Sequence, residues 1–209
     1  MVFKNDQVTL GETEKIIELA SGCLGVKGDF VEMGCYKGDT SLLLAEVLRE
    51  YNRSGVVEKP VEKFEEKFEK KRLWIYDSFE GLPEKSLVDE SALGADFKRG
   101  ELSVTKREVK ERFLRAGLPV PVIKKGWFKD LAADDLPAEI ALAFLDGDLY
   151  DSIRDSLRLV GPKMAEGGVI LVHDYANPAL PGVAKAVDEW MVGKDLKLER
   201  VESLVMVMV

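Results

Sequence analysis

The chain has 209 residues, 46% of them hydrophobic, which suits one domain, spanning 1–209, with a full core. A net charge of −8, with no basic cluster outside one alternating charged segment, argues against a nucleic-acid footprint. Cys23 and Cys35 are the only cysteines, which excludes a disulfide framework or a paired-cysteine zinc site. Met1 to Gln7 lacks a signal-peptide core, and no apolar run approaches membrane-spanning length. A soluble cytoplasmic protein without nucleic-acid or membrane partners is expected; a homo-oligomer is compatible with the sequence.

Taken in order, Glu12 to Ala20 carries Ile16, Ile17, Leu19 and Ala20 among charges and predicts a short helix. Glycines 22, 25 and 28 lead into a first strand, Phe30 to Met33. The stretch Asp29-Phe-Val-Glu-Met-Gly-Cys-Tyr-Lys-Gly-Asp-Thr-Ser41 then reads as buried strand, tight turn and helix N-terminus, the helix running to about Tyr51. Glycines at such a turn let backbone approach a ligand, and free helix N–H groups attract anions. A dinucleotide fingerprint wants G-x-G-x-x-G, and Tyr36 stands where the middle glycine belongs. S-adenosylmethionine, with an adenosine end and a carboxylate but no pyrophosphate, suits the altered turn. The same residues also fit an ordinary strand-to-helix connection.

A charged segment follows, Glu58 to Arg72, with Phe64 and Phe68 on one helical face; it is expected to be a solvated insertion helix. Leu73 to Tyr76 is a second strand ending in Asp77-Ser78, where nucleotide folds place an acid for the ribose hydroxyls. Leu82 to Gly100 reads as a long mobile loop of the kind that lines or covers a site. Thr105 to Ala116 is a helix with a capping-box entry, ended by Gly117. Pro121 to Lys124 is a third strand, followed by Gly126-Trp-Phe-Lys-Asp130.

Ile140 to Leu145 is uniformly apolar, a strand buried on both faces, and it stops at Asp146-Gly-Asp148. A helix, Ser152 to Val160, leads to a fifth strand, Gly167 to Val172, which stops at His173-Asp174. A helix, Gly182 to Val192, and two closing strands, Lys197 to Val201 and Leu204 to Val209, complete an α/β pattern. A mostly parallel sheet with a terminal antiparallel hairpin is expected, the last strand interior to it.

Ligands of open α/β sheets bind beyond the carboxyl ends of the strands, and Glu32, Asp77, Asp146, Asp148, His173 and Asp174 all fall there. Carboxylates gathered from strands four and five repel one another unless a cation neutralises them. A hard divalent ion such as Mg2+ answers that need. His173, the single histidine, is a candidate ligand, base or supporting donor there.

The segments Val31-Glu-Met-Gly-Cys-Tyr-Lys-Gly38, Tyr76-Asp-Ser-Phe-Glu-Gly-Leu-Pro83, Gly126-Trp-Phe-Lys-Asp130, Leu145-Asp-Gly-Asp-Leu-Tyr-Asp-Ser152, His173-Asp-Tyr175 and Pro181 to Glu189, in this order, resemble the macrocin O-methyltransferase family. The resemblance implies a class I methyltransferase (Rossmann-like) fold and metal-dependent O-methylation of a small hydroxylated acceptor, a sugar or a vicinal diol, with S-adenosylmethionine as donor. It implies that Asp146 serves as metal ligand and general base, with His173 and Asp174 completing the metal side. Glu32, Gly34, Tyr36, Gly38, Thr40 and Ser41 would surround the methionine end of the donor. Asp77 and Ser78 would meet the ribose, Trp127 and Phe128 would flank the adenine, and Asp146 would border the donor. Where the family typically carries two aspartates, this chain has His173-Asp174. A nicotinamide-dependent oxidoreductase and a non-catalytic donor-binding module are the competing readings.

Overall fold

The computed structural model describes residues 7–54 and 70–209. Among these, seven strands form one sheet in the order β3-β2-β1-β4-β5-β7-β6. The strands are β1 (Asp29–Met33), β2 (Leu73–Asp77), β3 (Val122–Lys125), β4 (Ile140–Leu145), β5 (Met164–Val172), β6 (Lys197–Val201) and β7 (Leu204–Met208). β1 to β5 pair in parallel, and β7 lies antiparallel between β5 and β6. The closing hairpin is therefore present, with its apolar strand interior as expected. The expected insertion helix over Glu58 to Arg72, with Phe64 and Phe68, falls outside the described residues except for 70–72, which are not helical.

The period-two alternation of the strands assigns each side chain to one of two cores. Phe30, Ile75, Leu142, Phe144 and Leu171 face one side, where α1 (Leu10–Gly22), α2 (Asp39–Ser54) and α3 (Lys106–Ala116) pack through Ile16, Leu44 and Phe113. Val31, Met33, Ala143, Leu145 and Val172 face the other, under α4 (Tyr150–Val160) and α5 (Pro181–Met191). Ile16, Phe113 and Leu157 are fully buried; each contributes about 1.5–3 kcal/mol by leaving water. With helices on both faces, a central strand reads as a continuous apolar run, and every residue of β4 is buried.

Local chemistry sets the helix ends. Thr9 and Glu12 form a capping box on α1, and Thr105 and Glu108 form one on α3. Gly117 closes α3 in the left-handed conformation at φ 66°. α4 begins at Tyr150, two residues before the expected Ser152, because its cap comes from afar: Asp89 Oδ1 accepts the Tyr150 N–H at 2.7 Å. That bond belongs to the segment expected as a mobile loop. The loop is pinned at Asp89, through the Ser91 hydroxyl donating to Pro178 O at 2.8 Å, and by Gly100 N–H donating to Leu82 O at 2.9 Å. Strand five also starts earlier than expected, at Met164, which pairs with Ile140 ahead of a register shift that brings Val169 opposite Leu142.

Candidate active site

Hydrogen bonds continue one step past the ends of the parallel strands and align the site. Gly34 N–H donates to Tyr76 O and Asp146 N–H to Met33 O, both at 2.9 Å, and His173 N–H donates to Leu145 O at 3.0 Å. On the far side Gly126 N–H donates to Asp77 O at 2.9 Å. Gly126, Asp77, Gly34, Asp146 and His173 thus sit along the carboxyl edge of the sheet. The strand order reverses between β1 and β4, where such sheets place their ligand crevice. A cavity of about 520 Å³ opens there.

Gly34, Tyr36, Asp77, Ser78, Trp127, Phe128 and Asp146 line this cavity, together with His173, Asp174 and Asp148. Gly34 stands at φ 89°, and a Cβ there would lie 1.9 Å from the Asp146 carbonyl oxygen; only glycine lets β1 and β4 end so close together. Asp77 accepts the Cys35 N–H at 2.9 Å on one oxygen and the Phe79 N–H at 2.7 Å on the other, while its carboxylate still borders the cavity. It is thus a cap for two turns as well as an available acceptor. The Ser78 hydroxyl donates to Gly81 O at 3.1 Å and accepts the Glu80 N–H at 3.0 Å, folding the turn beneath.

Four residues expected around the donor do not line the cavity: Glu32, Gly38, Thr40 and Ser41. Glu32 points into the α2 side of the core and receives a hydrogen bond from the Ser41 hydroxyl, both residues being buried. Burial pushes the Glu32 carboxyl up to about 8, opposed by the Ser41 hydrogen bond and reinforced by Asp146, Asp77 and Asp39. These residues shape the turn from behind. Gly38 supplies its left-handed step, at φ 84°.

At the β4 and β5 ends, one ligand atom each from Asp146, His173 and Asp174 lie within 4.8 Å of one another. His173 Nδ1 stands 3.2 Å from both Asp146 Oδ1 and Asp174 Oδ2. Asp174 adopts φ 60°, and its Oδ1 accepts from Asn177 Nδ2 at 2.8 Å, which leaves Oδ2 toward the imidazole. Asp148, also at φ 60°, makes no side-chain hydrogen bond or ion pair among the described residues. Burial, with Asp146 and Asp174 adding like charge, holds its carboxyl well above the usual range. Burial works against a charged His173, yet Asp146, Asp174 and Glu12 raise its basicity far above that of a free imidazole.

Two contributors were not visible as site residues in the sequence. Glu12 arrives from α1 because His173 shares the sheet face of Leu171; its carboxylate lies 3.6 Å from Nε2. It carries a capping-box signature, but nothing in the chain links it to a residue far downstream. Asn177 could have been found from its place just past the β5 end, in an Asp174-x-x-Asn177 turn.

Two carboxylates and an imidazole aimed at one gap are a fitting donor set for a divalent cation, and the outer contacts from Glu12 and Asn177 are of the kind that hold such ligands. The cavity likewise fits an adenosine-bearing donor, with an acid at the β2 end and aromatic side chains of the β3 loop on its wall.

This topology, parallel strands closed by an antiparallel β7 with the site at the β1/β4 reversal, is the class I methyltransferase fold. The solved structure of the O-methyltransferase NovP matches with a TM-score of 0.77 at 26% identity, covering 98% of this chain and 82% of that one. The calicheamicin methyltransferase CalS11 matches in fold, with a TM-score of 0.74 at 19% identity over 94% of this chain and 78% of that one. The model of the Macrocin-O-methyltransferase (TylF) family matches residues 13–203, and the chain belongs to that family. Among curated relatives, an 8-demethyl-8-(2,3-dimethoxy-alpha-L-rhamnosyl)-tetracenomycin-C 4'-O-methyltransferase of Streptomyces olivaceus is 33% identical over 74% of this chain and 56% of its own length. Demethyldecarbamoylnovobiocin O-methyltransferase of Streptomyces niveus is 28% identical over 82% of this chain and 61% of its own. The chain therefore spans less than two thirds of the length of these relatives. Family membership leaves the nicotinamide-dependent alternative without support. No helix among the described residues is long and apolar enough to cross a membrane.

Proposed function

We propose that the protein is an S-adenosylmethionine-dependent O-methyltransferase acting on a hydroxyl of a small molecule, a sugar ring or vicinal diol, with a divalent cation held by Asp146, His173 and Asp174. One observation carries the reading: that cluster faces the same cavity as Asp77, Trp127 and Phe128. Donor and acceptor chemistry thus share one enclosed space. The Streptomyces olivaceus relative, whose named substrate carries a rhamnosyl group and which methylates a 4' oxygen, supports a sugar hydroxyl as the acceptor.

The donor supplies an electrophilic methyl group, so the protein's work is to orient the acceptor and take its proton. Asp77 accepts from the ribose, and Trp127 and Phe128 hold the adenine. Gly34 and Tyr36 border the methionine end, with Glu32, Gly38, Thr40 and Ser41 supporting the turn from behind. When bound, the cation supplies Lewis-acid polarisation of the acceptor oxygen. Asp146 lies 3.2 Å from His173 Nδ1, which supports assigning it to the cation side. Asp148, which lines the cavity and makes no side-chain hydrogen bond among the described residues, is in its ionised form the carboxylate suited to accept the hydroxyl proton, its raised basicity favouring that role, and Asp146 is the competing assignment. The two free, buried cysteines suit a reducing compartment, in keeping with a cytoplasmic location.

The test is transfer of a labelled methyl group from S-adenosylmethionine to a panel of hydroxylated sugars and diols, with and without divalent cation, alongside calorimetry with S-adenosylhomocysteine. Binding of S-adenosylhomocysteine and cation-stimulated labelling of one acceptor class are expected. Failure to bind S-adenosylhomocysteine overturns the reading. Binding without transfer to any acceptor favours the non-catalytic module.

A further inference from the structure

We propose that Glu12 is a positioning residue for His173, and that the donor set it completes favours a first-row transition dication such as Co2+ over Mg2+ more strongly than carboxylates alone would. The inference rests on the proposed cation site and names the class of ion it takes.

His173 Nε2 is buried without a hydrogen-bond partner among the described residues. The Glu12 carboxylate stands beside it, Oε2 at 3.6 Å, with Glu12 only 1% exposed. Glu12 cannot swing away. Its Oε1 accepts from Ser203 N at 3.0 Å and Ser203 Oγ at 2.6 Å, and its Oε2 accepts from Thr9 N at 3.0 Å and Thr9 Oγ1 at 3.1 Å. An Nε2 lone pair aimed at a fixed carboxylate would be repelled, whereas an N–H is attracted. Nε2 therefore carries the hydrogen, and Nδ1 is the nitrogen presented to the gap between Asp146 Oδ1 and Asp174 Oδ2, 3.2 Å from each.

Carboxylate behind imidazole is the arrangement that orients histidine ligands in metal sites, and its loss costs 10- to 100-fold in affinity. Asn177 does the corresponding work for Asp174. The presented set is then two oxygens and one nitrogen. Mg2+ takes oxygen ligands and sheds water reluctantly, while imidazole suits the borderline transition ions. Glu12 thus links α1, the β6–β7 turn through Ser203 and the site into one rigid assembly.

The experiment titrates the metal-stripped full chain with Co2+ and with Mg2+ by calorimetry, and records the visible absorption of the Co2+ form. Co2+ outcompetes Mg2+ at many sites, so the deciding quantity is the ratio of the two affinities. His173→Asp is expected to lower the Co2+/Mg2+ ratio at least tenfold and to shift the Co2+ absorption bands. Glu12→Gln, verified as folded by thermal denaturation, is expected to weaken Co2+ about 10- to 100-fold. An unchanged ratio and spectrum in His173→Asp overturns the nitrogen donor. Unchanged Co2+ affinity in folded Glu12→Gln reduces Glu12 to a helix cap. Should Glu12→Gln not fold, Ser203→Ala, which removes a restraint on Glu12, is expected to weaken Co2+ at least threefold, and no change overturns the link. If neither ion binds the wild type at millimolar concentration, the cation reading itself fails; binding of both with no dependence on His173 defeats only the present inference.

Discussion

Gly34 and Asp146 meet backbone to backbone across the β1/β4 reversal, so closely that a Cβ on Gly34 would lie 1.9 Å from the Asp146 carbonyl oxygen. Gly34→Ala must therefore push the Asp146 turn outward and also accept a positive φ. Overpacking and the left-handed conformation together predict a loss of at least about 2 kcal/mol. Urea denaturation measures it, and a variant with unchanged midpoint and unchanged donor binding would contradict the close approach.

Asp77 has two roles in this geometry, capping the Cys35 and Phe79 amides and bordering the cavity. Asp77→Ala is expected to lower stability and donor affinity, each by about 1–3 kcal/mol, the scale of a hydrogen bond to a charged group. Denaturation and calorimetry with S-adenosylhomocysteine separate the roles. Lost stability with full donor affinity would leave Asp77 a cap alone.

Asp146 and Asp148 are distinguished by their contacts. Each Asp→Asn change is expected to lower methyl transfer at least about 10²-fold, the scale of a lost general base or ligand, with donor affinity little altered. Divalent-cation affinity should fall in Asp146→Asn and persist in Asp148→Asn. Full turnover by Asp148→Asn would return the base role to Asp146.

Glu32 gives stability a pH dependence of definite sign. Its carboxyl is raised from 4.5 to about 8 in the folded state, so over that interval the folded chain holds a proton the unfolded chain has released. Stability from this group is full below about pH 4.5 and declines as pH rises toward about 8. Glu32→Gln keeps the shape without the charge. Compared by urea denaturation at pH 5, 6, 7 and 8, the variant should gain on the wild type as pH rises, and parallel profiles would show that Glu32 is not held protonated.

Much of the fold was legible because its signals are local. The uninterrupted apolar run from Ile140 to Leu145, too short for a helix and stopped by Asp146-Gly147-Asp148, reads as a strand covered on both faces. The Thr105/Glu108 box and Gly117 mark the ends of α3 by short-range hydrogen bonding. The abrupt change from apolar to acidic residues after β2, β4 and β5 located the ligand edge, since polar residues in a row with buried strands must emerge at their ends.

What the sequence could not decide was which side of the turn each polar residue would face. Glu32 and Ser41 carry the same motif as Gly34 and Tyr36, yet strand alternation sends Glu32 behind the sheet edge into the α2 core while Gly34 and Tyr36 border the cavity. Glu12, Asp89 and Asn177 act through contacts made only once α1, the Leu82–Leu102 segment and the β5 turn have packed. The chain by itself determined the strand order of chemistry, an acid after β2, two after β4, a histidine and an acid after β5. Only tertiary structure decided that His173 meets Glu12, because that pairing depends on α1 packing over the face of the sheet to which the end of β5 turns His173.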